Sequence, residues 1–173
     1  MKKILVAAMT LCVLISCGSP RRLVILHAND THSHFEVERA GSKAGLGGIL
    51  ERAAFVDSVR TADGAGNVLL LHAGDFSQGS SYFTELGGML EVEMLDAMGY
   101  DAVTLGNHEF DNDVDALAGR LAKLKHTQVV CANLDLSMFE LGRYVKPYAV
   151  FERGGFRVGV IGIDARLVGN VTR

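Results

Sequence analysis

Three apolar runs in this chain each stop at a residue that can hold a metal ion, and this repetition limits the folds open to it. Leu23, Val24, Ile25 and Leu26 lead through His27, Ala28 and Asn29 to Asp30, Thr31 and His32. Residues 68–71 are all apolar and lead through His72, Ala73 and Gly74 to Asp75, with Gln78, Gly79 and Ser80 close behind. Residues 102–105 lead to Gly106, Asn107, His108, Glu109, Phe110 and Asp111. Short continuous apolar runs read as buried parallel strands. Open α/β sheets collect their chemistry at the carboxyl ends of such strands, where several ends converge. One coincidence of this kind is cheap; three at the same topological place point to one shared site.

The residue types suit a metal site that handles phosphate. Asp30, His32, Asp75 and Asn107 form an oxygen-rich set with one imidazole. That set fits hard or borderline divalent ions and argues against a soft thiolate site. His108 can be a ligand, a general acid or a phosphate-binding cation. Asp111, three residues on, can bond the far ring nitrogen of His108 and fix its tautomer. Each residue alone has a bland reading: Asp30 capping a turn, His32 on the surface, Asp75 in a tight turn. Their order and their equivalent loops favour the metal site.

Asn29-Asp30-Thr31-His32-Ser33, Gly74-Asp75-Phe76-Ser77-Gln78-Gly79-Ser80 and Gly106-Asn107-His108-Glu109-Phe110-Asp111 together resemble three ordered signatures of the calcineurin-like metallophosphoesterases. The wording is most similar to the 5′-nucleotidase family, which includes bacterial UDP-sugar hydrolases and cyclic-nucleotide phosphodiesterases. The resemblance implies half of a four-layer α/β/β/α sandwich. It implies two divalent metal ions (Zn, Mn, Fe, Mg or Ca), with Asp75 bridging them, Asp30 and His32 completing one side and Asn107 serving the other. His108 would be the catalytic histidine, oriented by Asp111, in two-metal hydrolysis of a nucleotide or other phosphate ester. The family also draws histidines from a second half of its catalytic domain, in a Gly-His-x-His or Gly-His-x-Gln stretch that this sequence lacks. The second metal is therefore under-ligated as written, and the base-gripping C-terminal domain is missing. The expectation is an incomplete fragment, with a missing C-terminal half or a complementing chain as partner. A reading of a different class is a non-catalytic envelope lipoprotein that retains a partial metal site and binds a metal or a partner.

The address is written in the first residues. Lys2 and Lys3 precede an apolar stretch over residues 4–15, too short to span a bilayer and suited to an export signal. Leu14-Ile15-Ser16-Cys17 resembles a bacterial lipobox, which makes 1–16 a lipoprotein signal, Cys17 the lipid-bearing residue and 17–22 a tether. Membrane contact would run through that lipid, in the periplasm or at the cell surface. Cys12 leaves with the signal, so Cys131 is alone and forms no internal disulfide; it reads as a small buried hydrophobe. The net charge of −3 and the lack of a basic run leave a nucleic-acid partner unsupported, so none is expected, and no Gly-x-x-x-x-Gly-Lys-Ser/Thr stretch supports a P-loop.

The remaining pattern predicts α/β architecture over 23–173. Strands are expected over 23–26, 68–71, 101–105 and 128–132. Helices are expected over 46–59 and from Phe83 to Ala97, with Gly99 past its end. A third helix starts at Val114, capped by Asn112 or Asp113. Residues 148–151 and 156–163 flank Arg153-Gly154-Gly155 as a hairpin that extends a mostly parallel sheet. Such a hairpin leaves a sheet face or edge uncovered. His27 and His72 read as packed core histidines, with support of the site as the alternative. His34 reads as a loop residue, and His126 as a helix-end cation with no assigned function. Gln78 is expected to buttress the Asp75 loop; Asn133 matches a family habit without an assigned role.

Overall fold

The computed structural model describes residues 21–165. The expected signal over 1–16, the lipid-bearing Cys17 and the final residues 166–173 lie outside that range. Five strands form one sheet in chain order: β1 (Val24–Ala28), β2 (Val68–His72), β3 (Ala102–Val103), β4 (Gln128–Val130) and β5 (Val145–Lys146). Every pairing is parallel. Successive parallel strands in chain order need right-handed crossovers, so the helices between them fall on the same face. Those helices are α1 (Ile49–Asp63), α2 (Ser81–Leu86), α3 (Met89–Ala97) and α4 (Val114–Leu121). Val56 of α1, Val92 and Leu95 of α3, and Leu117 and Leu121 of α4 pack with Leu70, Val103 and Val129 in one buried cluster.

A separate antiparallel hairpin, β6 (Tyr148–Arg153) and β7 (Phe156–Ile161), lies on the other side of the sheet. This corrects the expectation that the hairpin extends the parallel sheet. Pro147, between β5 and β6, has no N–H to continue the ladder, and the chain leaves the first sheet there. Arg153 fastens the hairpin to the sheet: its Nε donates to Val68 O at 3.2 Å and its guanidinium pairs with Asp101. The Asp101 carboxylate also accepts Leu70 N–H at 2.9 Å. The face between sheet and hairpin stays partly open, with Ile25, Ile161 and Ile163 51–72% exposed. That open face agrees with half of a two-sheet architecture.

Four local expectations change. The first helix starts at Ile49 rather than residue 46, because Gly47 and Gly48 take left-handed φ values of 79° and 89° ahead of it. Leu46 and Leu50, apolar residues within the expected helix, are exposed, and Val56 is its buried residue. The single helix from Phe83 to Ala97 is two, broken at Gly87 and Gly88. The strand β5 was not anticipated; at two residues it is too short to show a period. Other boundaries agree to within a few residues. Asp113 is the cap of α4, its Oδ1 accepting Ala116 N–H at 2.7 Å, and Gly99 holds the left-handed turn beyond α3.

Leu117, with no exposed surface in the helix-side core, sets the scale of packing here. Leu117→Ala should lower unfolding free energy by about 2–5 kcal/mol. Ile161→Ser, on the open face, should change it by less than about 0.5 kcal/mol. Urea unfolding of the two variants checks the contrast.

Candidate metal and phosphate site

The register of the sheet levels three strand ends. Ala28 pairs with His72, and His72 pairs with Val103. The ladder then continues into the loops: Asp30 N–H donates to Gly74 O, His32 N–H to Asp75 O and Ser33 N–H to Phe76 O, each at 3.0 Å. The loops carrying Asp30, Asp75 and Asn107 therefore begin at one height and stay laced together.

One donor atom from each of Asp30, His32 and Asp75 lies within 4.8 Å of the others. His32 Nε2 stands 3.8 Å from Asp30 Oδ1, too far for a hydrogen bond and close enough to share a cation. Two carboxylates at this separation repel unless a positive charge stands between them. The donor set thus fits a divalent cation. Asp30, His32 and Asp75 all hold left-handed φ values, of 50°, 44° and 53°. Such conformations cost about 1–3 kcal/mol each in a non-glycine residue and persist where surrounding structure enforces them. Asn107 opens the 3₁₀ turn Asn107–Phe110 after β3, and the next N–H, of His108, donates to Asp75 Oδ1 at 3.0 Å. The backbone thereby brings Asn107 beside Asp75.

For Asp75 the enforcing group is Glu109. Its side chain is fully buried and accepts three backbone N–H groups: Asp75 at 2.9 Å, Ser77 at 3.0 Å and Gly106 at 2.6 Å. One carboxylate so joins the loop after β2 to the loop after β3. Burial pushes its carboxyl up from the ordinary range, and the three N–H donors pull against that rise. Glycine is required on both sides of the junction. A Cβ on Gly106 would meet Asp75 Oδ1 at 2.4 Å, and one on Gly74 would meet Gly106 N at 2.8 Å. Arg120, buried in α4, donates to Glu109 O at 2.9 Å and to Gly87 O at 3.0 Å, anchoring the 3₁₀ turn from below.

His108 Nδ1 and Asp111 Oδ2 are 2.8 Å apart. Its ring stands edge-on to that of His32, with centroids 5.2 Å apart, so it borders the cation cluster. Partial burial draws the His108 pKa down. The Asp111 hydrogen bond and charge, with Asp75 and Glu109 behind them, outweigh burial and leave the pKa raised. The pair can present a cationic imidazole, with Nε2 free, to an anionic ligand.

The structure gathers Asp30, His32 and Asp75 as one group and sets the His108–Asp111 pair against it. His27 is a correction: it is exposed on the open face of β1, because alternate residues of that strand turn away from the helices. His72 is buried, as a core histidine should be. The Gln78 side chain makes no hydrogen bond among the described residues; Glu109 buttresses that loop through Ser77 N–H. Asn133 acquires a place, gripping the backbone of Asp164 at both N–H (2.9 Å) and C=O (2.7 Å). Asp164 was not singled out from sequence. It is buried beside the site, and burial, with the charge of Asp75 added, pushes its carboxyl up against the pull of Ala165 N–H. Glu109 was also missed as a site residue; its position inside Gly106–Asp111 was the available signal.

Known proteins resemble this chain over most of its length. A family model described as calcineurin-like phosphoesterase matches residues 23–166. A probable 5′-nucleotidase of Treponema pallidum is 40% identical over 82% of this chain and 25% of its own length. Bovine 5′-nucleotidase is 35% identical over 85% of this chain and 27% of its own. Among solved structures, a 5′-nucleotidase precursor from Thermus thermophilus is 40% identical, with TM-score 0.73 over 82% of this chain and 28% of that one. The NAD nucleotidase of Haemophilus influenzae is 34% identical, with TM-score 0.70 over 82% and 26%. The chain spans between a quarter and a third of the length of these relatives.

Two outcomes test the site's construction. Glu109→Ala leaves one buried and two part-buried N–H groups without an acceptor, at up to roughly 1–3 kcal/mol each. It should destabilise by about 3 kcal/mol or more in urea unfolding, and Glu109→Gln, which keeps one acceptor oxygen, by less. His72 gives a pH test. Burial, with Arg52 adding to it, lowers its pKa to about 4. The unfolded chain takes up that proton near pH 6.5 and the folded chain only near pH 4. The stability contributed is full above pH 6.5 and is lost as pH falls toward 4, about 3 kcal/mol in all. Unfolding midpoints between pH 7 and 4.5 should fall less steeply in His72→Gln than in the unsubstituted protein.

Proposed function

We propose metal-dependent hydrolysis of phosphoric esters, of the 5′-nucleotidase type: the chain belongs to the calcineurin-like phosphoesterase family, and its relatives are enzymes of that class. The observation that carries the reading is the Asp30–His32–Asp75 cluster bordered by the His108–Asp111 pair. Asp30, His32 and Asp75 would hold one divalent cation; Asp75 and Asn107 would hold a second. The cations, when bound, supply Lewis acidity at a phosphate oxygen and offset its negative charge against an incoming water. The chain's own groups do the rest. Asp111 accepts from His108 Nδ1–H and fixes the ring, so that the imidazolium form would present Nε2–H to a phosphoryl or leaving-group oxygen. The raised pKa keeps that donor protonated nearer neutral pH. Substrates would be extracytoplasmic nucleotides, delivered to an enzyme exported by residues 1–16 and held at the membrane through Cys17. On this reading the second cation would have two ligands, Asp75 and Asn107, among the described residues, and full activity would draw on further ligands.

The chain dialysed against Mn²⁺ should retain at least one ion, and Asp75→Asn should abolish retention. Absence of any bound cation in the unsubstituted chain would overturn the reading. In the completed enzyme, His108→Ala should lower kcat for 5′-AMP about 10²–10⁴-fold with metal content unchanged. Loss of metal with that substitution would show His108 to be a ligand instead. Metal retention with no phosphate release from the completed enzyme would favour a non-catalytic metal-binding lipoprotein.

A further inference from the structure

The segment from Asp30 to Ser33 divides its side chains between two sides. Asp30 and His32 join Asp75 in the cation cluster. Thr31 and Ser33, alternating with them, reach inward to polar groups buried beneath the loop. Thr31 Oγ1 lies 3.0 Å from His72 Nε2. Ser33 Oγ donates to Glu91 Oε1. His72, Ser33 and Glu91 are each 3% exposed or less.

The tautomer of His72 follows from its other nitrogen. The backbone N–H of Gly74 donates to His72 Nδ1 at 3.2 Å, and a backbone amide can only donate. Nδ1 is therefore the acceptor, Nε2 carries the proton, and Thr31 Oγ1 accepts it. The ring is held on two further sides, edge-on to Phe76 at 5.8 Å and to Tyr100 at 5.6 Å between centroids. Glu91 comes from α3, so the loop after β1 is pinned to a helix and to the end of β2 at once. Asp30, His32 and Ser33 hold left-handed backbone, which any relaxation of these two anchors would release.

We propose that His72 and Glu91 are positioning residues for the cation site. Neither touches the cation or the substrate. Each fixes one of the two side chains that alternate with Asp30 and His32, and together they hold those ligands at their spacing before a cation arrives. The inference rests on the metal-site reading above and adds to it two residues from outside the signature stretches, together with the tautomer that one of them must keep.

Isothermal titration of the full chain with Mn²⁺ tests this, with apo-protein stability measured in parallel. Residues that orient ligands from behind usually carry 10–100-fold in metal affinity. His72→Leu and Glu91→Ala should each weaken Mn²⁺ binding within that range. Glu91→Gln retains an acceptor for Ser33 and should recover most of the loss, as should His72→Gln, which retains a donor for Thr31. Thr31→Val and Ser33→Ala, milder changes that leave His72 and Glu91 in place, should weaken binding in the same sense. Leu117→Ala separates positioning from general destabilisation: it should lower apo stability and leave the affinity unchanged. Nitrogen-15 spectra of the His72 side chain should show the Nε2–H tautomer in the apo protein at neutral pH. Unchanged affinity in His72→Leu, Glu91→Ala, Thr31→Val and Ser33→Ala, or the Nδ1–H tautomer, would overturn the inference while leaving the metal reading intact. An unsubstituted chain that binds no Mn²⁺ would overturn both.

Discussion

Three N–H groups from two different loops converge on one buried carboxylate, that of Glu109, and the site depends on this convergence. Without it, the loop after β2 and the loop after β3 lose two of the hydrogen bonds that join them, and His108 N–H to Asp75 Oδ1 is left. With it, Gly74 and Gly106 meet closely enough that a single Cβ would not fit between the loops. Asp75 Oδ1 then accepts the N–H of His108, which turns the 3₁₀ segment so that His108 borders the cluster and Asp111 stands behind it. A carboxylate removed from water is costly unless its acceptor sites are filled. Here they are filled by backbone donors that lack strand partners, so one arrangement satisfies both the burial of Glu109 and the exposed ends of two loops.

The sheet beneath has a simpler logic. Parallel strands in chain order put the helices on one face and the loops at one end, and the aligned register of Ala28, His72 and Val103 sets those loops level. The same topology leaves the opposite face without helices. The β6–β7 hairpin covers part of it, tied by Arg153 to Asp101, and exposed Ile25, Ile161 and Ile163 mark the remainder. The packed side carries the core; the other side keeps apolar residues in contact with solvent.

What was legible in the sequence follows the range of the interactions involved. Strand ends and ligand types are local: an apolar run stops, and Asp30, Asp75 or Asn107 follows within a few residues. Their shared location then follows from topology. His108 and Asp111 are three apart and could be paired by spacing alone. Glu109 could not, since two of its partners, Asp75 and Ser77, lie 34 and 32 residues away and contribute backbone groups, which every residue has. The break at Gly87–Gly88 was written in two adjacent glycines, but the apolar period runs through it from Phe83 to Ala97 and hides it. His27 was misplaced because a strand of five residues alternates its faces, and composition does not tell which face the helices will cover. The two-residue strand β5 exists only as a pairing with β4 and has no signature of its own.

Two histidines show how far environment, rather than residue type, decides chemistry at these strand ends. His72 and His108 begin from the same ordinary pKa. His72 is enclosed by Phe76 and Tyr100, with Arg52 as a nearby like charge, so its neutral form is favoured. Neutrality is what its hydrogen bonds demand, because a protonated Nδ1 could not accept from Gly74. His108 is less enclosed and faces Asp111, Asp75 and Glu109, so its charged form is favoured despite partial burial. A cation there suits an anionic ligand, while a neutral donor below suits a hydroxyl that must be held without attracting water. Exchanging the two environments would change both rings: a charged imidazole under Thr31 could not accept Gly74 N–H, and a neutral one at His108 would lose its attraction for an anion. The division of labour is thus set by what surrounds each ring.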